Sequence, residues 1–296
     1  MADVNPRTDV VFKKIFGIEE NKDLTISLIN SIVGPEDQVK DIVIKNPYNV
    51  GSFLKDKLSI LDIKAEGHDG KRFNIEVQVN DENDYSKRAL YYWAKLYTEQ
   101  LSSGEHYEKL SKSIGIHILN FTSIPGTDKY HNCFQLKNEE GMHHFNEIEL
   151  HTVELNKFEK NLPRDPEGIA RKISNALDMW SSFLTRHNLL QQNKLPTAIS
   201  ELAGLEKAVS VLNHLSFTDE EREAYEGRLK WYRAQHDALK KQHEKGKQEG
   251  LAEGMEKGME KGKEEVARNM LSEGLGVDVV ARVTGLSPAQ VQELQR

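Results

Sequence analysis

Between Leu58 and Val79 the chain reads LSILDIKAEGHDGKRFNIEVQV. Two apolar-rich runs flank the turn-like tetrapeptide Gly67-His68-Asp69-Gly70, which is the pattern of a β-hairpin. Side chains on a strand alternate faces. Phe73, Ile75, Val77 and Val79 therefore share one face of the second strand, and Glu76 and Gln78 take the other. On the first strand Leu61, Ile63 and Ala65 lie opposite Asp62 and Lys64. Pairing symmetric about residue 69 sets Asp62 across from Glu76, with Cβ atoms about 5 Å apart. Two carboxylates at that distance repel unless a proton or a cation sits between them. A hard divalent cation such as Mg2+ favours a site of this kind, completed by water and phosphate oxygens. The plainer reading is a solvated edge hairpin with ordinary surface carboxylates.

Helix and strand periods place further elements around this hairpin. Residues 9–16 and 22–33 have the apolar spacing of short helices, the second ended by Gly34-Pro35. Ile42-Val43-Ile44 is a strand candidate, residues 84–101 a helix with Leu90, Trp93, Tyr97 and Leu101 at helical spacing, and residues 114–121 a buried strand. Residues 131–137 and 148–155 read as two more strands across the turn at 138–141. This order predicts an α+β fold: a core with a mixed sheet flanked by helices. From Asp165 onward the chain reads as helical. Ile169, Ile173, Leu177, Trp180 and Leu184 line a first helix, and Ile199, Leu202, Val209, Leu212 and Leu215 a second. Thr218-Asp219-Glu220-Glu221 opens a third with a capping box.

Gly246, Gly250, Gly254, Gly258 and Gly262 then recur every four residues among Glu, Lys and Met. Five helical glycines cost on the order of 5 kcal/mol relative to alanine. The segment is therefore either a charged tether or a helix offset by a close-packed partner, and the sharper expectation is self-association through residues 245–263 into a homo-oligomer. It lacks the pattern of a phosphate-binding loop. The final segment, Val-Ala-Arg-Val-Thr-Gly-Leu-Ser-x-x-Gln-Val, is similar to a helix-turn-helix, with Ser287 as N-cap and Pro288 at the first helical position. Its last helix offers only Gln290, Gln292, Glu293, Gln295 and Arg296 as polar reach. That set is poor in cations for phosphate contact, so docking onto protein is favoured over autonomous DNA reading. The expected organisation is 1–160 as the α+β domain, 161–240 as a helical region, 241–265 as the repeat and 266–296 as the small helical module.

Composition narrows the function classes. The 296 residues carry 29% charged and 38% hydrophobic side chains, with a formal charge of -7. An acidic chain of this kind is not a passive DNA coat. No apolar run has the length to span a bilayer. The opening MADVNPRTD lacks a signal-peptide pattern, and the single cysteine, Cys133, fits a reducing cytoplasm. Cys133 reads as core packing, and His131, His143 and His144, which lack zinc-site spacing, as surface.

The arrangement Asp62, thirteen residues, Glu76-x-Gln78 resembles the PD-(D/E)XK nuclease superfamily, in particular its recombination-promoting nuclease or transposase branch. Thr8 to Gly17 is similar to that family's opening helix. Tyr85, Arg88, Tyr92 and Lys95-Leu96-Tyr97 match its post-hairpin helix, and Ile116 to Phe121 a following core strand. The similarity covers roughly residues 5 to 160. It implies a restriction-endonuclease-like core and a Mg2+-dependent DNA endonuclease, with Mn2+ as a substitute. Asp62 and Glu76 would hold the metal together with the backbone carbonyl of Val77, and Gln78 would position a water. DNA is the implied partner, and recombination, transposition or phage defence the implied setting. Gln78 stands where the superfamily has Lys. Gln orients a water but carries no charge, so Lys64 is expected to replace the missing cation in part. Lys13 and Lys14 are candidates for phosphate contact, within a basic surface that would also draw on Lys71, Arg72, Lys87 and Lys95. Tyr85 and Arg88 either contact phosphate or cover the core, and Asp9 is either a helix N-cap or a further carboxylate on the metal side. The alternative function is a catalytically weak nuclease-like scaffold that oligomerises through the repeat.

Overall fold

The computed structural model describes residues 4–45, 63–80, 84–190 and 204–294. The chain forms two compact units, Met1–Tyr232 and Arg233–Arg296. In the first, α1 (Asp9–Phe16) and α2 (Lys22–Ile32) bury Val11, Phe12, Ile15, Phe16, Leu24, Leu28 and Ile29. Asp9 in the first turn of α1 and Lys13 and Lys14 in its last complement the helix dipole. Thr8, not Asp9, occupies the N-cap position. The Asp9 carboxylate instead accepts from Arg228 Nε at 2.7 Å, so neither expectation for Asp9 describes its contacts.

Six strands make one mixed sheet: β1 (Ile42–Ile44), β2 (Ile63–Gly67), β3 (Arg72–Gln78), β4 (Ser113–Leu119), β5 (His131–Gln135) and β6 (Ile148–Glu154), in the order β1-β2-β3-β4-β6-β5. β1, β2 and β3 are antiparallel neighbours, β3, β4 and β6 run parallel, and β5 closes the far edge antiparallel to β6. The β2–β3 pairs are Ile63↔Ile75, Lys64↔Asn74, Ala65↔Phe73 and Glu66↔Arg72, the register symmetric about residue 69 that the hairpin pattern implied. Between the parallel strands β3 and β4 the chain crosses over through α3 (Tyr85–Thr98), as a parallel pair requires.

The two sheet faces differ. One carries Ile63, Phe73, Ile75, Ile114, Ile116 and Ile118, packed in a single core with α1, α2 and the helices α6 (Ala176–Leu190) and α7 (Leu205–Asn213). Phe16, Trp180 and Phe183, all fully buried, meet edge to face with centroids 5.3 and 6.0 Å apart. Each such side chain contributes about 1.5–3 kcal/mol on burial. Helices beyond residue 160 thus share the core of the sheet. α4 (Leu155–Lys160) and α5 (Pro166–Lys172) lead into α6. The single helix expected from Asp165 is broken at residues 173–175. The Asp178 carboxylate accepts from Ser174 N and Oγ, and Asn175 Oδ1 accepts from Asp178 N, which together start a new helix there. Ile199 and Leu202 lie outside the described residues.

α8 (Asp219–Ser272) starts at the expected capping box: Thr218 N donates to Glu221 Oε2 at 2.8 Å and Glu221 N to Thr218 Oγ1 at 3.3 Å. It stays helical through the glycine repeat. A Cβ on any of the five glycines would meet nothing within 4 Å. The i,i+4 pairs Lys245–Glu249 and Lys257–Glu253 return only a few tenths of a kcal/mol each. After Ser272, α9 (Val277–Thr284) and α10 (Pro288–Glu293) close a small core of Ala267, Val280, Leu286 and Val291. Gly285, at φ +71°, ends α9. Among the described residues no helix is long and apolar enough to cross a membrane.

Candidate functional site

The second sheet face is polar at its centre. β3 presents Asn74, Glu76 and Gln78 there, β4 presents Gly115 and His117, and β6 presents Thr152. The parallel registers Glu76↔His117 and His117↔Thr152 align these side chains in one row across three strands. Glu76 is only 6% exposed and His117 only 2%. Asn74 Nδ2 donates to Glu76 Oε1 at 3.0 Å, and His117 Nδ1 lies 3.6 Å from Glu76 Oε2, beyond a good hydrogen bond. Gly115 makes room for this: a Cβ there would fall 2.6 Å from Leu150 and 3.1 Å from His117 Nε2.

α3 covers the row. Tyr85 packs edge to face on His117 and Phe121, with centroids 5.7 and 5.5 Å apart. Burial first, and then the nearby Glu76 carboxylate, raise the Tyr85 hydroxyl far above its ordinary pKa. One turn later, Arg88 Nη2 donates to Gln78 Oε1, and Gln78 Nε2 donates to Asn80 O at 3.2 Å.

Five buried polar atoms here have no hydrogen-bond partner among the described residues: Asn74 Oδ1, both ring nitrogens of His117, the Tyr85 hydroxyl and Thr152 Oγ1. Buried polar groups are ordinarily paired, and each orphan costs about 1–3 kcal/mol. The Glu76 carboxylate, beside an imidazole and amide and hydroxyl oxygens without partners among the described residues, offers a donor set suited to a divalent cation with water.

The sequence-derived residues fall into groups. Glu76, Gln78, Tyr85 and Arg88 are brought together. Lys64 projects on the Glu76 face, with its ammonium 2.8 Å from Glu99 Oε2. Val77 points its side chain to the opposite, apolar face. Asp62 lies outside the described residues. Lys13 and Lys14 belong to α1, which packs in the core on the opposite face, and Lys14 Nζ is 2.6 Å from Glu221 Oε2. Several cations expected on a basic surface are paired as well: Lys71 with Asp69 and Asp37, Arg72 with Glu66, Lys87 with Asp84 and Lys95 with Glu99. His117 and Thr152, which only parallel pairing across distant segments joins to Glu76, were not singled out from the sequence, nor was Asn74, which strand alternation alone sets on the Glu76 face two residues away.

In the second unit Ser287 forms a capping box, accepting from Gln290 N at 3.3 Å while Ser287 N donates to Gln290 Oε1 at 2.9 Å. Gln290 is thus occupied as a cap rather than held out as a reading side chain. Gln295 and Arg296 lie outside the described residues.

Two family models match the chain. The family model for PD-(D/E)XK nuclease family transposases matches residues 6–242. That for the C-terminal HTH domain of the Rpn/YhgA-like nuclease family matches residues 260–296. Comparisons with curated proteins and with solved structures give no match.

Proposed function

This chain belongs to the PD-(D/E)XK nuclease family transposases, and we propose that it is a divalent-metal-dependent DNA endonuclease whose reactive site is the Glu76 row. The observation that carries this reading is the buried Glu76 carboxylate beside five buried polar atoms that have no partner among the described residues. Glu76, together with Asp62, would hold Mg2+ or Mn2+, and Asn74 fixes the Glu76 carboxylate through Oε1. When bound, such a cation lowers the pKa of water and offsets charge on phosphate oxygens. Gln78, on the same sheet face as Glu76, orients the attacking water through its side-chain amide. Arg88 supplies the positive charge that Gln78 lacks, since its guanidinium sits on the Gln78 side chain, whereas Lys64 is held by Glu99. Tyr85 keeps bulk water from the row. The helix-turn-helix module binds DNA and brings the nuclease to it.

Supercoiled-plasmid nicking tests the reading. Wild type nicks with Mg2+ or Mn2+ and not with EDTA, and Asp62→Ala is silent. Equal nicking by both proteins refutes the placement of the site.

A second reading, a nuclease-like scaffold that assembles as a homo-oligomer through the repeat, is favoured by one observation. Leu251, Met255 and Met259 form a stripe on α8 that is 65, 64 and 65% exposed. If the stripe joins copies of the chain, deleting residues 245–263 lowers the mass measured by light scattering; an unchanged mass rejects it.

A further inference from the structure

A second group of chemically reactive side chains sits on the other sheet face, at the β5–β6 edge. Cys133 and His151 are direct cross-strand partners, and Glu149 lies two residues before His151 on the same face. One ligand atom from each of the three lies within 4.8 Å of the other two. Glu149 and His151 are 2% exposed, while Cys133 opens to solvent, so the group has buried walls and an entry.

The surroundings are arranged as metal ligands require. His151 Nε2 is 2.7 Å from Glu149 Oε1, and its Nδ1 is 3.0 Å from His131 Nε2. Such a partner on the second nitrogen is what orients ligating histidines. Glu149 is held in the same way. Gln135 Nε2 and Lys112 Nζ donate to Oε2 at 2.8 and 2.9 Å, which leaves Oε1 directed at His151. Lys112 is itself matched by Asp37 Oδ2 at 2.5 Å, so its charge is balanced locally.

We propose that Cys133, Glu149 and His151 form a Zn2+ site at this edge, with His131 as the positioning residue behind His151. Thiolate, imidazole and carboxylate are the ligands Zn2+ takes tetrahedrally, and three protein ligands leave a fourth position for water. The soft thiolate sets the site apart from the oxygen-rich Glu76 row, which suits Mg2+. Loading would replace the Glu149–His151 hydrogen bond and release to solvent both the proton on His151 Nε2 and the Cys133 thiol proton, leaving the His151 ring proton on Nδ1, beside His131.

The sequence contains one cysteine, which makes the spectroscopic test unambiguous. Full-length protein, stripped with chelator, is titrated with Zn2+ against a chromophoric chelator in excess Mg2+, and separately with Co2+ while the near-ultraviolet sulfur-to-cobalt band is recorded. Wild type and Glu76→Gln are expected to bind one equivalent and show the band, so the result stands or falls apart from the nuclease reading. Cys133→Ser, a change at an exposed position, loses the band and weakens Zn2+ at least tenfold. His131→Gln keeps the band but weakens binding about 10–100-fold. Absence of binding in excess Mg2+, or equal affinity in wild type and Cys133→Ser, overturns the site. A band and affinity unchanged in His151→Gln overturns it too.

Discussion

Glu76→Gln separates function from stability. The Glu76 carboxylate is 6% exposed, and the partners shown for it among the described residues are one neutral amide at 3.0 Å and an imidazole at 3.6 Å. A buried ion so weakly compensated retains a desolvation penalty of several kcal/mol. Gln keeps the shape and can still accept from Asn74, so the charge alone is removed. Relief of such functional strain typically stabilises by about 0.5–2 kcal/mol. For a domain of this size, 1 kcal/mol moves Tm by roughly 2–4 °C, so in EDTA the variant is expected to melt about 1–8 °C above wild type. Mg2+ at about 100 times its Kd then stabilises wild type by about 2.7 kcal/mol and leaves the variant unchanged, reversing the order. Circular-dichroism melts of both proteins, with EDTA and with Mg2+, read this directly. A variant that melts below wild type in EDTA, or gains equally from Mg2+, refutes the argument that this carboxylate is kept for a cation.

Arg88→Ala is expected to cut the nicking rate about 10²-fold, on the scale of losing one stabilising donor, while Lys64→Ala changes it little; the opposite ranking would assign the cationic role to Lys64. Gly254→Ala meets open space on a helical, exposed position and should raise helix stability by about 1 kcal/mol, measured as ellipticity on heating, whereas a fall would reveal a close-packed partner. In chelator, acid should destabilise the first unit between pH 6.5 and 4 in part through His131. The unfolded chain binds that proton at the ordinary 6.5 and the folded one only near 4, so stability is intact above the window and lost as pH falls through it. The full shift would be worth about 3.4 kcal/mol, but His131 is only half-buried and screening reduces this to about 1 kcal/mol. His131→Gln should flatten urea-denaturation stability across that window.

Local pattern made much of the fold legible. The alternation on either side of residue 69 yields the observed β2–β3 register, and Thr218 and Ser287 mark helix starts through side chains only three residues from their partners. What escaped was set by distant pairing. His117 reads as one residue in an apolar strand, and only the parallel register with β3 places it beside Glu76. His131-x-Cys133 and Glu149-x-His151 are each unremarkable pairs at spacing two; antiparallel pairing of β5 and β6 brings them together. Cys133, expected in the core, is exposed, and His131, expected at the surface, is bonded to His151. The break at residues 173–175 was hidden because the apolar spacing continues across it, while the polar side chains of Ser174, Asn175 and Asp178 capture the backbone.

Plasmid nicking by purified Glu76→Gln beside wild type, in Mg2+ and after a melt shows the variant folded, tests the central claim most directly. The account predicts a variant at least as stable as wild type in EDTA and without metal-dependent nicking. A folded Glu76→Gln that nicks at the wild-type rate would contradict it.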